Sequence, residues 1–290
     1  MCVIFSKNYV NRISELMDSV YQYINDNENL PVLLDMLKNC DNNTYAHCEH
    51  VAMYSVLLAD KMQLSKEEIT KIGFSALFHD IGKLAVPVAI LKKPGSLTDE
   101  EADIMKNHAE YGATLMRKFV DDEDIINSIL MHHEKLDGSG YPNAMGYENI
   151  PIGAQIITVA DIFDALVSRR CYKNRLSMSE TFNILYNEEL YTVNQTVVSN
   201  LATILKQDRI LSNIPVTVDG AELEEFGVSI QSYICSMIKA EKQFLENMGL
   251  QDALGKYDYV DPSALAERDF IQNLMFTPRE QNVGGTNDVQ

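Results

Sequence analysis

The sequence predicts an all-α fold. Three observations carry that expectation: apolar residues recur at helical spacing from the N-terminal region onward, capping-box sequences open new helices at two points, and β signals reduce to one short, weak candidate, IPVTVDG at 214–220.

The elements follow in order. Ile13, Leu16, Met17, Val20 and Ile24 fall at i, i+3, i+4, i+7 and i+11, one face of an amphipathic helix, so residues 1–40 form a helical N-terminal segment. Ser65-Lys66-Glu67-Glu68 has capping-box spacing, with Leu64 and Ile69 as a hydrophobic staple, and starts a helix running toward Phe78. Thr98-Asp99-Glu100-Glu101 repeats the signature after a Pro94-Gly95 turn and starts a helix expected to carry both Met105 and His108. Gly138, Gly140 and Pro142 interrupt the pattern. Pro151-Ile152-Gly153 then closes the loop before AQIITVADIFDALVS, which sets Ile157, Ala160, Asp161, Asp164 and Ala165 on neighbouring turns. Residues 41–206 form the expected catalytic domain. A C-terminal extension over 207–275 keeps helical patterning from Ile230 to Leu245, and the polar end at 276–290 is expected to be disordered.

Composition narrows the function classes. The 290 residues hold 24 basic and 42 acidic side chains, a net charge of −18, which argues against a protein that wraps a nucleic-acid polymer by neutralising its phosphates. At 46% hydrophobic and 23% charged the chain is ordinary globular material. Its five cysteines, Cys2, Cys40, Cys48, Cys171 and Cys235, show no CxxC spacing and read as reduced thiols, neither a disulfide framework nor a cysteine zinc site. Stretches such as LAVPVAIL at 84–91 fall far short of the roughly 20 apolar residues of a membrane span. MCVIFSKNYVNR lacks the plan of a signal peptide, so the expected location is the cytoplasm, without membrane attachment.

All six histidines, His47, His50, His79, His108, His132 and His133, lie in the first half of the chain, and carboxylates keep them company: His79 precedes Asp80, His132-His133 precede Glu134, and Asp161 sits in an apolar helical segment where an unpaired carboxylate is costly to bury. Imidazoles and carboxylates without thiolates suit Zn, Mn, Fe or Co. The donors outnumber what one tetrahedral ion takes. Two ions sharing a carboxylate would use them, and paired ions recur in enzymes that displace at phosphorus.

The run HCEHV…LFHDIGKLAVP…ILKKPGSLTDEEADIMKNHAEYGATLM…MHHEKLDGSGYP…IPIGAQIITVADIFDALVSRRCYKNRLS resembles the HD-GYP domain, a subgroup of the HD metal-dependent phosphohydrolases, over roughly residues 41–205. The resemblance implies a helical bundle of the HD type that hydrolyses the bacterial signalling molecule cyclic di-GMP to linear pGpG, often on to GMP. It implies two, sometimes three, divalent metals, commonly iron or manganese, with zinc, cobalt or nickel as further options. By position it assigns His47, His79, Asp80, His108, His132, His133 and Asp161 as metal ligands, with Asp80 as the bridging carboxylate. Lys83 matches the lysine that contacts the scissile phosphate, Gly140-Tyr141-Pro142 the loop that names the subgroup, and Arg170 and Lys173 the basic pair that grips substrate phosphates. The expected catalytic residues are Lys83 and Asp80, and the substrate-binding set is Lys83, Tyr141, Arg170 and Lys173. Chemistry agrees: an anionic phosphodiester needs a hydroxide at neutral pH, which a metal-bridging water supplies, and positive charge where the pentacovalent oxygens develop.

Departures from the family pattern bear on affinity more than on metal binding. Asn43, one turn before His47, stands where members with a third metal carry glutamate, which implies two metals here. His50 and Gln155 replace common arginines, Cys171 replaces a proline, and none of the three is a ligand. His50 is expected at the core or rim. Asp164 is expected to orient a histidine or lysine from behind, and Glu134 and Asp137 to support the loop. Lys83, and Arg170 with Lys173, have a plainer alternative as solvated surface charges. Two other functions share this residue set: hydrolysis of another cyclic dinucleotide such as cyclic GMP-AMP, and a non-catalytic module that binds a nucleotide or partner. No sensor pattern precedes the domain, so a homodimer or a regulatory protein partner is the expected route of control.

Overall fold

The computed structural model describes residues 5–168, 176–189 and 191–207. Among them the only β pairing is an isolated antiparallel bridge between Asp137 and Gly146, so the protein is all-α as the periodicity predicts.

Helix α1 (Lys7–Asn25) buries Ile13, Leu16, Met17, Val20 and Ile24, the five residues of the predicted stripe. Helix α2 (Asn29–Cys40) buries Leu30, Leu33, Leu34 and Leu37 with the same period. Each such side chain contributes about 1.5–3 kcal/mol when taken from water. Both helices dock on α3 (Asn42–Lys61), and α1 also packs on α4 (Lys66–Phe78). Asp41 caps α3 by accepting the Asn43 N–H at 3.1 Å. The capping box predicted at Ser65 opens α4: Ser65 Oγ accepts the Glu68 N–H at 3.2 Å, and Glu68 accepts the Ser65 N–H at 2.8 Å. From Val51 to Ala59 only Met53 escapes full burial, because α3 is the axis around which α2, α4 and the later α9 pack.

A 3₁₀ helix over Ile81–Ala85 and α5 (Val88–Leu91) lead to α6 (Asp99–Lys106), which begins at the second predicted capping box on Thr98. One helix carrying Met105 and His108 is not what forms. The helix stops at Asn107 and α7 (His108–Met116) starts there. The cause is backbone packing: a Cβ added to Gly82 would lie 1.9 Å from the His108 carbonyl oxygen and 2.4 Å from the Gly112 nitrogen, so the start of α7 is seated directly on the 3₁₀ helix. No residue of α6 is buried.

Helix α8 (Glu123–Leu130), capped by Asp122, packs on α4 and α7. A loop containing a short 3₁₀ helix, Tyr147–Asn149, reaches α9 (Ile152–Val167), which is buried continuously from Gly153 to Ala160. A third capping box, Ser177 with Glu180, opens α10 (Met178–Asn183), followed by a π-helical turn over Ile184–Glu188 and α11 (Gln195–Gln207). One apolar cluster runs from Phe5 to Leu205, so the N-terminal helices share the core of the rest. No helix among the described residues is long and apolar enough to cross a membrane. The weak strand candidate at 214–220, the helical pattern at 230–245 and the predicted tail lie outside the described residues.

Candidate metal centre

The site is assembled from helix ends. His79 is the C-cap of α4 with Asp80 next to it, His108 follows α6 by two residues, and His132 and His133 follow α8. A helix end leaves carbonyls without intrahelical partners. Here the histidines take them: the Nδ1 of His79 bonds the Ala76 carbonyl at 2.7 Å, that of His108 bonds Met105 at 2.8 Å, and that of His132 bonds Ile129 at 2.6 Å. A carbonyl only accepts, so each Nδ1 carries a proton, and in the neutral ring it is Nε2 that presents a lone pair. The same three-residue step back, used three times, turns three imidazoles into one buried site.

The other members come from helix interiors. His47, on α3, sets its Nε2 2.9 Å from Asp161 Oδ1 on α9 and its Nδ1 2.6 Å from Asp164 Oδ2. His133 Nδ1 lies 3.9 Å from the second oxygen of Asp161. Candidate ligand atoms of His47, His79 and Asp80 lie within 4.8 Å of one another, and those of His108, His132 and His133 do likewise. Two carboxylates span these groups. Asp80 places one oxygen 3.4 Å from His79 and the other 3.4 Å from His108, while Asp161 lies between His47 and His133. His79, Asp80, His108 and His132 are buried.

Electrostatics suit cations. Burial works to raise the Asp80 carboxyl, but Lys83, His79 and His108 hold it well below the usual range; burial opposes ionisation of Asp161 too, and His47 overcomes it. Both stay anionic. Burial pushes the His132 imidazole well below its ordinary value, reinforced by His133, and pushes His133 down to about 3, so both rings remain neutral donors. The Nε2 atoms of His108 and His132 face each other at 3.2 Å. With both Nδ1 atoms protonated these are two opposed lone pairs, a spacing that suits two nitrogens each about 2.1 Å from one ion. The donor set therefore fits divalent metal.

All seven sequence-predicted ligands converge. Lys83 comes with them, its Nζ 2.6 Å from Asp80 Oδ2. The Tyr141 ring lies 4.8 Å from that of His133 and 6.5 Å from that of His108, with its phenol pushed up by burial and by Asp80 and Asp161. Its backbone N–H donates to the His133 carbonyl at 3.2 Å, and Tyr141-Pro142 is a cis peptide. Gly140 is demanded here, because a Cβ would sit 2.3 Å from the Lys135 nitrogen. Glu134 supports the loop, accepting from the Asn143 and Met145 N–H groups at 2.6 and 3.0 Å, and Asp137 accepts from the N–H and hydroxyl of Ser139. His50 bonds Asp164 at 3.1 Å and stands outside both histidine groups. Gln155 is a brace, donating to the Ile150 carbonyl and accepting from Asn194. Arg170, Cys171 and Lys173 lie outside the described residues.

Sequence reasoning missed the carbonyls of Ala76, Met105 and Ile129, and Thr158, whose hydroxyl donates to the His132 carbonyl at 2.7 Å. Backbone acceptors carry no side-chain signal. Thr158 had one, three residues before Asp161 on the same helix.

A protein with this helical core, ordered histidine–aspartate pair and divalent-metal donor set belongs to a defined class: the profile of the HD domain family matches residues 31–196, and the chain is a member of that family. The HD-GYP resemblance stands with it. The chain is 39% identical over 165 residues to the cyclic di-GMP phosphodiesterase response regulator RpfG of Xanthomonas campestris pv. campestris, covering 56% of this chain and 43% of that protein. It is 43% identical over 155 residues to a cyclic di-GMP phosphodiesterase of Thermotoga maritima, covering 52% and 42%. To the 3'3'-cGAMP-specific phosphodiesterase 2 of Vibrio cholerae it is 42% identical over 135 residues, covering 45% and 26%. The chain thus spans less than half the length of these relatives.

Proposed function

We propose that the protein is a metal-dependent phosphodiesterase that hydrolyses cyclic di-GMP to linear pGpG, with GMP as a further product. The observation that carries this reading is the pair of histidine groups spanned by Asp80 and Asp161. In this reading His47, His79, Asp80 and Asp161 would hold one ion and His108, His132 and His133 the other, and Asp80 would serve both. The count of donors and the amide of Asn43 on α3 favour two ions, and the family resemblance favours iron or manganese. When bound, they supply Lewis acidity: a water acidic enough to attack at neutral pH, and positive charge against the phosphate oxygens.

The chain's own groups do the rest. Lys83 brings an ammonium to the Asp80 edge of the site, where it offsets charge on a phosphate oxygen. Tyr141 walls the His133 side and offers a flat ring beside the substrate. Arg170 and Lys173 complete the phosphate grip. Purified protein loaded with manganese or iron should turn over cyclic di-GMP, with product followed by chromatography. A metal-replete sample that yields neither pGpG nor GMP sinks the proposal.

The likeness to a cGAMP-specific phosphodiesterase supports a second substrate reading, cyclic GMP-AMP, because metals and lysines meet the phosphates and leave the bases to the loops. Competition between the two dinucleotides for one enzyme sample decides between them.

A further inference from the structure

His47 differs from the other candidate ligands in how its far nitrogen is held. His79, His108 and His132 each sit just beyond a helix end and lean on a free carbonyl. His47 lies inside α3, where the carbonyls of the preceding turn are engaged in the helix ladder. A carboxylate serves instead: Asp164 Oδ2 stands 2.6 Å from His47 Nδ1. Asp164 is buried, and its other oxygen accepts from Ser168 Oγ at 2.7 Å and from His50 Nδ1 at 3.1 Å.

We propose that Asp164, gripped by Ser168 and His50, is the positioning residue for His47 and sets the affinity of the His47 half of the centre for its ion. This rests on the metal reading given above. A buried carboxylate without donors costs several kcal/mol. Here it has three, which fix its plane and therefore the plane of the imidazole it holds. It sits one turn beyond Asp161 on α9, so a single helix presents both the carboxylate facing His47 Nε2 and the carboxylate facing His47 Nδ1. The ring is clamped between them. A carboxylate behind a ligating histidine also makes the imidazole a stronger donor than a carbonyl does, and loss of such a partner typically weakens metal binding about 10–100-fold. Among the described residues the Nδ1 atoms of His108 and His132 lean on carbonyls instead, so the effect belongs to the His47 half of the centre. His50, in this arrangement, acts on the metal through Asp164.

The test uses metal-free full-length chain titrated with Co²⁺ and followed by visible absorption, with circular dichroism to verify folding. The parent should bind in two steps. Asp164→Asn should weaken one of them about 10–100-fold and shift its absorption bands, the same step that His47→Ala removes, while the other keeps its midpoint. His50→Ala and Ser168→Ala should weaken that step by less, and His50→Gln, which keeps an N–H for Asp164, should restore it. Should Asp164→Asn fail to fold, the His50→Ala, His50→Gln and Ser168→Ala series decides, and parent affinities throughout it overturn the proposal. Parent midpoints and spectrum in a folded Asp164→Asn protein, beside a lost step in His47→Ala, overturn the positioning role alone. If His47→Ala binds both equivalents as the parent does, the ligand assignment beneath it fails as well.

Discussion

Asp80 Oδ1 lies 3.4 Å from His108 Nε2, although 28 positions separate the two residues, one just past the end of α4 and the other opening α7. Because the second Asp80 oxygen is 3.4 Å from His79 Nε2, this one buried carboxylate joins both histidine groups. The HD dipeptide therefore reaches both histidine groups.

Asp80→Asn should remove the shared negative charge while keeping the shape. We expect cyclic di-GMP hydrolysis to fall by well over about a hundredfold, beyond what losing an outer partner costs, and bound metal to drop below the parent's content. Steady-state kinetics with elemental analysis of the same sample checks both. Parent-like metal content with parent-like rates would rule out a shared carboxylate.

Lys83→Met separates charge from coordination, because Lys83 touches Asp80 and carries no metal-binding role here. Turnover should fall about a hundredfold or more, the scale of losing one electrostatic donor, with metal content retained. Loss of metal in place of turnover would move Lys83 from phosphate contact to support of Asp80.

Chelation should destabilise the fold, since an ion held at a hundred times its dissociation constant contributes about 2.7 kcal/mol. A melting temperature lowered by EDTA and restored by manganese is the expected result of differential scanning fluorimetry. Identical curves would argue against a metal bound in this core.

Gly82→Ala should be among the most damaging small substitutions outside the ligand set. The added Cβ meets backbone atoms at 1.9 and 2.4 Å, and no rotamer change relieves that contact. We expect a loss of about 3 kcal/mol or more, measured by urea denaturation, together with weakened metal binding as His108 is displaced. A parent-like midpoint would show that α7 can lift from the 3₁₀ helix at little cost.

Asp122 gives a pH dependence away from the site. Burial raises its carboxyl, but Lys71 at 2.9 Å and the N–H groups of Ile125 and Asp124 outweigh that and leave it lowered. A lowered folded-state value stabilises the fold fully above the ordinary carboxylate value of about 4 and loses that contribution as pH falls through the folded value. Asp122→Asn keeps a capping side chain and removes the charge that faces Lys71, so it should cost at most about 1 kcal/mol near neutrality, the scale of a partly exposed ion pair. The gap between parent and variant should close below the ordinary carboxylate range. An undiminished gap there would assign the effect to shape in place of charge.

Much of this was legible in the chain. The stripe Ile13, Leu16, Met17, Val20, Ile24 reported its own burial, because helical periodicity and a one-sided core are the same fact seen twice. The boxes at Ser65 and Thr98 reported helix starts, because the bonds that form them span three residues. The seven candidate ligands could be named from the family resemblance that their motifs carry. What the sequence did not contain was direction. That α6 ends before His108 follows from Gly82 lying against a carbonyl 26 positions away, and that Nδ1 of His79, His108 and His132 is engaged while Nε2 faces the site follows from backbone acceptors that no side chain announces. Local sequence determined which groups are present and where several helices begin; tertiary packing decided where α6 gives way to α7 and how α3, α4, α7, α8 and α9 gather the groups into two clusters, each within 4.8 Å, because hydrogen bonds and close contacts between distant segments, unlike periodicity and caps, leave no mark on neighbouring residues.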